Sequence, residues 1–330
     1  MIFRCVALTA CGLGLALLAV CSPARAATPA APQSYPARPV RMIVPFPPGG
    51  ATDIIGRMLA QKMQEVWGQT IIVDNRPGAG TVVATDIAAK SNPDGHTLGV
   101  VVTAYVINPS LRADMPFDTL KDLAGVTQVS IQHLAIAALP SFEANTVPEL
   151  IALAKKNPGT LTYATPGAGT AMHLSVELLK SVAGIDLVHV PYKGGVAAQQ
   201  DVLGGRVPIL LDVHYAIAPL IKAGKLKVIA LLSPQRVPAL AEYPVVAESV
   251  PGVSAVSLVG IVVPRATPRA LVSRIGRDIA GAVRSSDLTE RMTQLGMEPV
   301  GSTPEQFDAL IRAEIAKWAK VVKASGAKAD

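Results

Sequence analysis

The chain has 330 residues, of which 50% are hydrophobic, 16% charged and 4% aromatic. This balance excludes a disordered or fibrous protein, and the length is typical of about two domains. After the first 26 residues, no apolar run reaches the roughly 20 residues that a membrane-spanning helix needs.

Residues 1–26 have the pattern of a secretory signal peptide. A positive residue precedes an almost continuous apolar run over residues 5–20, and small residues follow it. We expect cleavage after Ala26, export to the periplasm and a flexible leader over residues 27–38. A lipoprotein signal, with Cys21 as the lipidated residue, is the alternative.

Cleavage would remove every cysteine, namely Cys5, Cys11 and Cys21, so the mature chain would have no thiol. Disulfides, thiolate metal sites and a cysteine nucleophile are therefore excluded. Loss of two arginines with the signal would lower the formal charge from +6 to +4, and no basic run exceeds two residues. We expect no nucleic-acid partner, no metal and no cofactor.

Short β-branched segments alternate with helical patterns along the mature chain, which is typical of an α/β protein with largely parallel sheets. An apolar stripe predicts a helix over residues 53–66, and capping boxes at Thr146 and Thr303 predict two more helix starts. Strands are predicted at 40–44, 70–73, 97–102, 134–138, 160–164, 186–190, 207–211, 227–231 and 257–263.

Three glycine-rich turns, at residues 44–53, 163–170 and 190–195, each follow a predicted strand and precede a predicted helix. Ligands of open α/β sheets bind beyond the carboxyl ends of the strands. Glycines allow close approach there, and free N–H groups at a helix N-terminus favour an anion. Two such turns facing each other would hold a molecule with a carboxylate at each end.

The sequence offers weak candidates for catalysis. It has no Gly-x-Ser-x-Gly elbow, no Gly-Lys-Ser/Thr phosphate loop and no histidine pair at metal-ligand spacing on one helix. An enzyme using the same cleft would have to rely on Asp53, Asp212 or His173. Asp53 and His173 are better interpreted as residues that stabilise helix starts.

In their order behind a signal peptide, these turns resemble the Bug/TctC family, the extracytoplasmic solute-binding receptors of tripartite tricarboxylate transporters. The matching segments cover nearly the whole mature chain. They are residues 45–50 with Asp53 and Arg57, 74–80, 93–98, 108–111, 149–155, 163–173, 190–195 with Asp201 and 204–205, 221–226 and 314–318.

The resemblance implies a two-lobed periplasmic-binding-protein architecture (type II, Venus flytrap), in which each lobe is a mostly parallel sheet flanked by helices. Lobe 1 would comprise residues 39–130 plus 256–330, and lobe 2 residues 131–255. The chain would cross between them near residues 128–134 and 254–260.

The implied function is binding without catalysis. The receptor, expected to be a monomer, would capture a small organic carboxylate and deliver it to the large and small integral-membrane subunits of the transporter. Candidate ligands are di- or tricarboxylates, acidic amino acids and aromatic acids. A sensor subunit of a signalling system is the alternative partner role.

The ligand-binding residues carried over from the family lie on both lobes, with three weaker additions at strand ends. They are Phe46, Pro47, Pro48, Gly49, Gly50 and Thr52 in the first turn, Thr165, Pro166, Gly167, Ala168, Gly169 and Thr170 in the second, and the additions Thr103, Ala104 and Asp212.

Departures from the family pattern give further expectations. Thr81 and Ala84 stand where glycines are usual, which predicts a stiffer loop. Leu258 and Val259 replace an aromatic residue, which predicts a less aromatic cleft wall. His214 could add a pH-dependent ligand contact.

Overall fold

The computed structural model describes residues 35–325 and 327. The predicted signal peptide, with Ala26 and Cys21, and the leader up to residue 34 lie outside the described residues. The strands are β1 Val40–Val44, β2 Ile71–Asn75, β3 Thr97–Val102, β4 Leu123–Ala138, β5 Thr162–Thr165, β6 Val188–Pro191, β7 Ile209–Val213, β8 Lys227–Leu231, β9 Val256–Pro264 and β10 Met297–Pro299.

Helices follow most of these strands, which confirms the predicted alternation. They are α1 Ala51–Trp67, α2 Val82–Ala89, α3 Ala104–Leu111, α4 Val147–Lys156, α5 Ala171–Ala183, α6 Gly195–Leu203, α7 His214–Lys222, α8 Val246–Ser249, α9 Arg269–Val283, α10 Ser286–Gln294 and α11 Pro304–Ser325.

Both predicted capping boxes are present. The Thr146 hydroxyl accepts from the Glu149 N–H at the start of α4. Thr303 and Gln306 exchange two hydrogen bonds before α11. Each box satisfies N–H groups that the first helical turn leaves without a partner, so the starts of these helices could be predicted from local sequence.

The strands form one mixed sheet in the order β2-β1-β3-β9-β4-β7-β5-β6, with β8 and β10 also paired to β4. The predicted parallel pairing is found towards both ends, where β1 pairs with β2 and β3, and β5 pairs with β6 and β7. Through the middle, β9 and β4 run antiparallel to their neighbours.

The longest strand, β4, joins the two groups of strands. Its residues up to His133 pair with β9, and those from Leu134 onward pair with β7 and β8. The sequence predicted only residues 134–138 of it, because the earlier half contains buried polar residues such as Thr127 and Gln132. Thr127 is accommodated there by a hydrogen bond of 2.7 Å to the Ser302 carbonyl.

The core is apolar on both sides of β4. On α1, Ile55, Met58, Leu59 and Met63 are buried as predicted, whereas Val66, expected on the same face, is 49% exposed near the end of the helix. On α11, Phe307 and Trp318 are buried, so its apolar face packs within the protein. In the part of the chain that the structure describes, no helix has both the length and the apolar character to cross a membrane.

Candidate functional site

The carboxyl ends of five strands surround a cavity of about 320 Å³. This is within the range in which small-molecule sites are found. It is lined by Phe46, Pro47, Pro48, Gly50, Ala51, Thr52, Val102, Thr103, Ala104, Gln132, Pro166, Thr170, Ala171, Met172, Lys193, Gly194, Gly195, Val196, Ala197, Gln200, Asp212, Val213 and Ser257.

Five helices, α1, α3, α5, α6 and α7, begin at this cavity, because each follows one of the strands that end there. Their first-turn N–H groups have no partner within the helix, and their dipoles place partial positive charge at this end. Among the described residues, no side chain caps α1, α3, α6 or α7. The arrangement therefore favours an anion.

The first turn is held in place by Asp53. Its carboxylate accepts from Gly49 N (2.9 Å), Arg57 Nε (2.8 Å) and Asn75 Nδ2 (2.9 Å). Asn75 Nδ2 also donates to the Phe46 carbonyl at 2.8 Å. Burial raises the pKa of Asp53, but these hydrogen bonds outweigh burial and hold the pKa below its usual value. Asp53 is thus an ionised support of the turn, as its interpretation as a helix-start residue predicted.

The second turn contributes only two of its residues to the cavity. Pro166 and Thr170 line it, whereas the predicted site residues Thr165, Gly167, Ala168 and Gly169 do not, and neither does Gly49 of the first turn. The Thr170 hydroxyl donates to the Gly167 carbonyl at 2.8 Å and accepts from His173 N at 3.3 Å. Thr170 therefore caps α5, which sequence reasoning had not assigned to it.

The middle of this turn faces other parts of the chain. A Cβ on Gly169 would lie 2.7 Å from Leu111 Cδ2, and one on Gly80 would lie 3.0 Å from the Ala168 carbonyl oxygen. The turn thus packs against α3 and the loop before α2, and Gly169 faces Leu111 instead of the cavity.

Two stacked histidines support the second turn from behind. The rings of His173 and His189 are 4.0 Å apart, and Thr165 Oγ1 lies 2.7 Å from His189 Nε2. His173 Nδ1 accepts from Gly169 N at 3.2 Å, so that nitrogen carries no proton. Burial lowers the pKa of His189 to about 3, with smaller contributions from His173 and Lys180. The two stacked rings stabilise the turn, in agreement with the structural interpretation of His173.

The third turn, identified from sequence but left out of the predicted site, supplies a large share of the lining. Lys193 is the one cationic side chain in that lining, and Gly194 and Gly195 open α6 beside it. The strand–Gly-Gly–helix pattern of the sequence indicated these residues. Gln132 and Ser257, by contrast, come from the middle of the sheet and carry no motif.

Asp212 lies at the end of β7 and is 1% exposed. Its Oδ2 accepts from Gln199 Nε2 at 2.9 Å, and its Oδ1 accepts from Val213 N at 2.8 Å. Burial raises the pKa of Asp212 to about 6, although the hydrogen bonds from Gln199 and Val213 lower it. The weaker sequence candidates Asp212, Thr103 and Ala104 all line the cavity.

The structure places His214, Leu258 and Val259 outside the lining of the cavity. His214 does not line it but another depression, beside Leu240 and Gly296, because the first turn of α7 directs the ring towards α10. Leu258 and Val259 are buried in β9 and form no wall of the cavity, where Ser257 is the lining residue instead. Phe46 is the one aromatic residue in the lining.

The loop before α2 shows why glycines would suit it. Ala79 and Thr81 adopt left-handed backbone conformations, with φ of 47° and 82°. Such angles are uncommon without glycine and are outliers for a β-branched residue.

Within residues 35–325 and 327, no three histidine, cysteine or acidic side chains are grouped as metal ligands.

The fold and the cavity together define a solute-binding protein of the periplasmic class. A solved R. palustris protein with adipate has a TM-score of 0.86 and 32% identity, covering 89% of this chain and 99% of that one. MatC from Rhodopseudomonas palustris, with bound malate, has a TM-score of 0.81 and 28% identity, covering 87% and 100%.

Residues 55–327 match the profile of the TctC family, which is described as "Tripartite tricarboxylate transporter family receptor". Protein BugT of Bordetella pertussis is 36% identical over 305 residues, covering 92% of this chain and 94% of that protein. The chain belongs to the TctC family, which confirms the resemblance and the binding-protein fold.

Proposed function

We propose that this chain is a periplasmic receptor that binds a small organic acid in the cavity and delivers it to a tripartite tricarboxylate-type transporter. The observation that carries the proposal is the convergence of five helix N-termini on one cavity, four of them without a side-chain cap among the described residues. The adipate and malate bound by related proteins support a carboxylate as the ligand class.

The proposed site keeps ten of the predicted residues and adds five from the observed lining. The retained residues are Phe46, Pro47, Pro48, Gly50, Thr52, Thr103, Ala104, Pro166, Thr170 and Asp212. The added residues are Gln132, Lys193, Gly195, Gln200 and Ser257. In this proposal the chain binds its ligand unchanged, since Asp53 and His173 both serve the local backbone.

We further propose that the chain forms two lobes, residues 39–130 plus 256–330 and residues 131–255, which close over the ligand. The change of partners along β4 at His133 and Leu134 supports a hinge there. A Cβ on Gly194 would lie 3.1 Å from the Pro47 ring, so the first and third turns meet at the cavity. In this proposal such contacts form when the two lobes close.

Export would follow cleavage after Ala26, with delivery to large and small membrane subunits. A thermal-shift screen of residues 27–330, unfolded and refolded to remove any bound molecule, tests the function. The panel contains mono-, di- and tricarboxylates, amino acids, aromatic acids and sugars. A ligand that binds only the folded state raises the melting temperature. Stabilisation by a carboxylate supports the proposal, and stabilisation by sugars or neutral solutes alone refutes it.

A further inference from the structure

A buried carboxylate is an unusual component of a cavity that is otherwise arranged for an anion. Asp212 is 1% exposed and lines the cavity. Among the residues that the structure describes, its hydrogen-bond donors are the uncharged Gln199 amide and Val213 N–H. Lys193, the cation in the lining, lies on the exposed surface of the third turn. The starts of α6 and α7 lie beside this carboxylate, but no charged side chain of the described residues pairs with it, so its presence at a binding cavity points to a role with the ligand.

The acceptor capacity of Asp212 is only partly used. A carboxylate has about four lone-pair positions, and these two hydrogen bonds occupy two of them. The carboxylate also lies directly against the start of α6, where a Cβ on Gly195 would be 2.5 Å from Oδ2. The absence of a side chain at Gly195 is therefore what allows Asp212 to reach this position beside the cavity.

The charges in the lining thus divide the cavity into two chemically different parts. Near Asp212, a ligand carboxylate would be repelled, and a ligand hydroxyl or ammonium group would find a free acceptor. At the uncapped N-terminus of α1, formed by Gly50, Ala51 and Thr52, a carboxylate is favoured instead.

We propose that Asp212 selects organic acids that carry a hydroxyl or ammonium group, by accepting a hydrogen bond from that group while helix N-termini bind the carboxylate. This inference rests on the proposed function and names the ligand class within it. The competing arrangement has a protonated Asp212 that donates to the second carboxylate of an unsubstituted diacid.

The test is titration calorimetry of refolded protein at pH 8 with matched acids. The first series is succinate, malate and aspartate, and the second is glutarate, 2-hydroxyglutarate and glutamate. Members of a series share a chain length and differ at one carbon. A hydrogen bond to a charged group corresponds to an affinity change of about tenfold to hundredfold. We expect a substituted acid to bind at least about tenfold more tightly than its unsubstituted parent.

Asp212→Asn, which keeps the size of the side chain and removes its charge, should reduce this ratio to about threefold or less. Asp186→Asn is the matched control, because it removes the same charge from an exposed position outside the cavity. A second variant, Gly195→Ala, should displace the Asp212 carboxylate and weaken the substituted acid more than its parent. Gly195 has no left-handed backbone that alanine would strain.

The outcomes separate the inference from the function on which it rests. Tight binding of unsubstituted diacids, with ratios unchanged in Asp212→Asn and Gly195→Ala, overturns the role of Asp212 and leaves the carboxylate receptor intact. Proton uptake on binding an unsubstituted diacid, measured from the buffer dependence of the heat, establishes the competing arrangement and also overturns it. Binding of no carboxylate at all overturns both the inference and the function.

Discussion

Gly169→Ala tests whether the second turn closes against α3. Gly169 has φ of 73°, and its new methyl would lie 2.7 Å from Leu111 Cδ2. The left-handed backbone costs a non-glycine residue about 1–2 kcal/mol whether or not ligand is bound. The overlap with Leu111 is a separate cost. Overpacking a dense core costs about 1–3 kcal/mol, and we take the lower part of that range because Leu111 is only half-buried.

In the proposed two-lobed arrangement Gly169 and Leu111 belong to different lobes, so we expect the overlap to be present only when the lobes close. A cost of about 1–2 kcal/mol corresponds to affinity weakened by about 5- to 30-fold. Titration calorimetry gives the affinity, and urea unfolding without ligand gives the free energy of unfolding. The matched control is Gly169→Ala with Leu111→Ala, which should regain most of the affinity while the unfolding free energy stays lowered. Parental affinity in Gly169→Ala alone would refute the closure contact, and failure of the double variant to recover would assign the loss to the turn itself.

Three further predictions concern single side chains at the cavity. Thr170→Ala should lower the free energy of unfolding by about 1 kcal/mol through loss of the α5 cap, whereas Thr170→Ser should keep the parental value. Urea titrations measure both, and equal losses of unfolding free energy in the two variants would contradict a capping role. Lys193→Gln should lower the affinity for a carboxylate ligand by up to about fivefold at low salt, which is the contribution of an exposed ion pair, and by less at high salt. A loss that does not depend on salt would exclude an ionic contact. Burial raises the pKa of Asp212 from its ordinary value of 3.8 to about 6 in the folded protein. The ionised group therefore destabilises the fold above pH 6, and this cost in free energy disappears as the pH falls towards 4. Asp212→Asn should therefore be more stable than the parent at pH 8, by up to about 3 kcal/mol, with the difference closing near pH 4 in urea titrations; a difference independent of pH would contradict the raised pKa.

Local signals made much of this fold predictable from sequence. The capping boxes at Thr146 and Thr303 act through neighbouring atoms, and the glycine turns mark places where a strand ends and a helix begins. The carboxyl ends of such strands form a common edge, so the general position of the cavity followed from the order of elements. The first turn was expected at the cavity for this reason, and the family resemblance narrowed it to Phe46–Thr52, of which Gly49 alone does not line the cavity.

The remaining features depend on contacts between distant residues. Gln132 and Ser257 reach the cavity because β4 and β9 pair across more than a hundred residues of chain, which no local pattern encodes. Gly169 of the second turn was expected to approach the ligand, but it packs on Leu111 and does not line the cavity. His214 was expected near the ligand from its place in the family pattern, whereas the helix that starts there turns its side chain away.

The central claim is that helix N-termini bind a ligand carboxylate in this cavity, and one comparison tests it directly. Calorimetry of the refolded protein would compare the tightest carboxylate from the thermal-shift panel with its amide, which has a similar shape and no charge. Two hydrogen bonds to a charged group, at about 1.5 kcal/mol each, predict binding of the acid about 100-fold tighter than the amide. Affinities within about threefold of each other would contradict the account, because the cavity would then recognise shape and not charge.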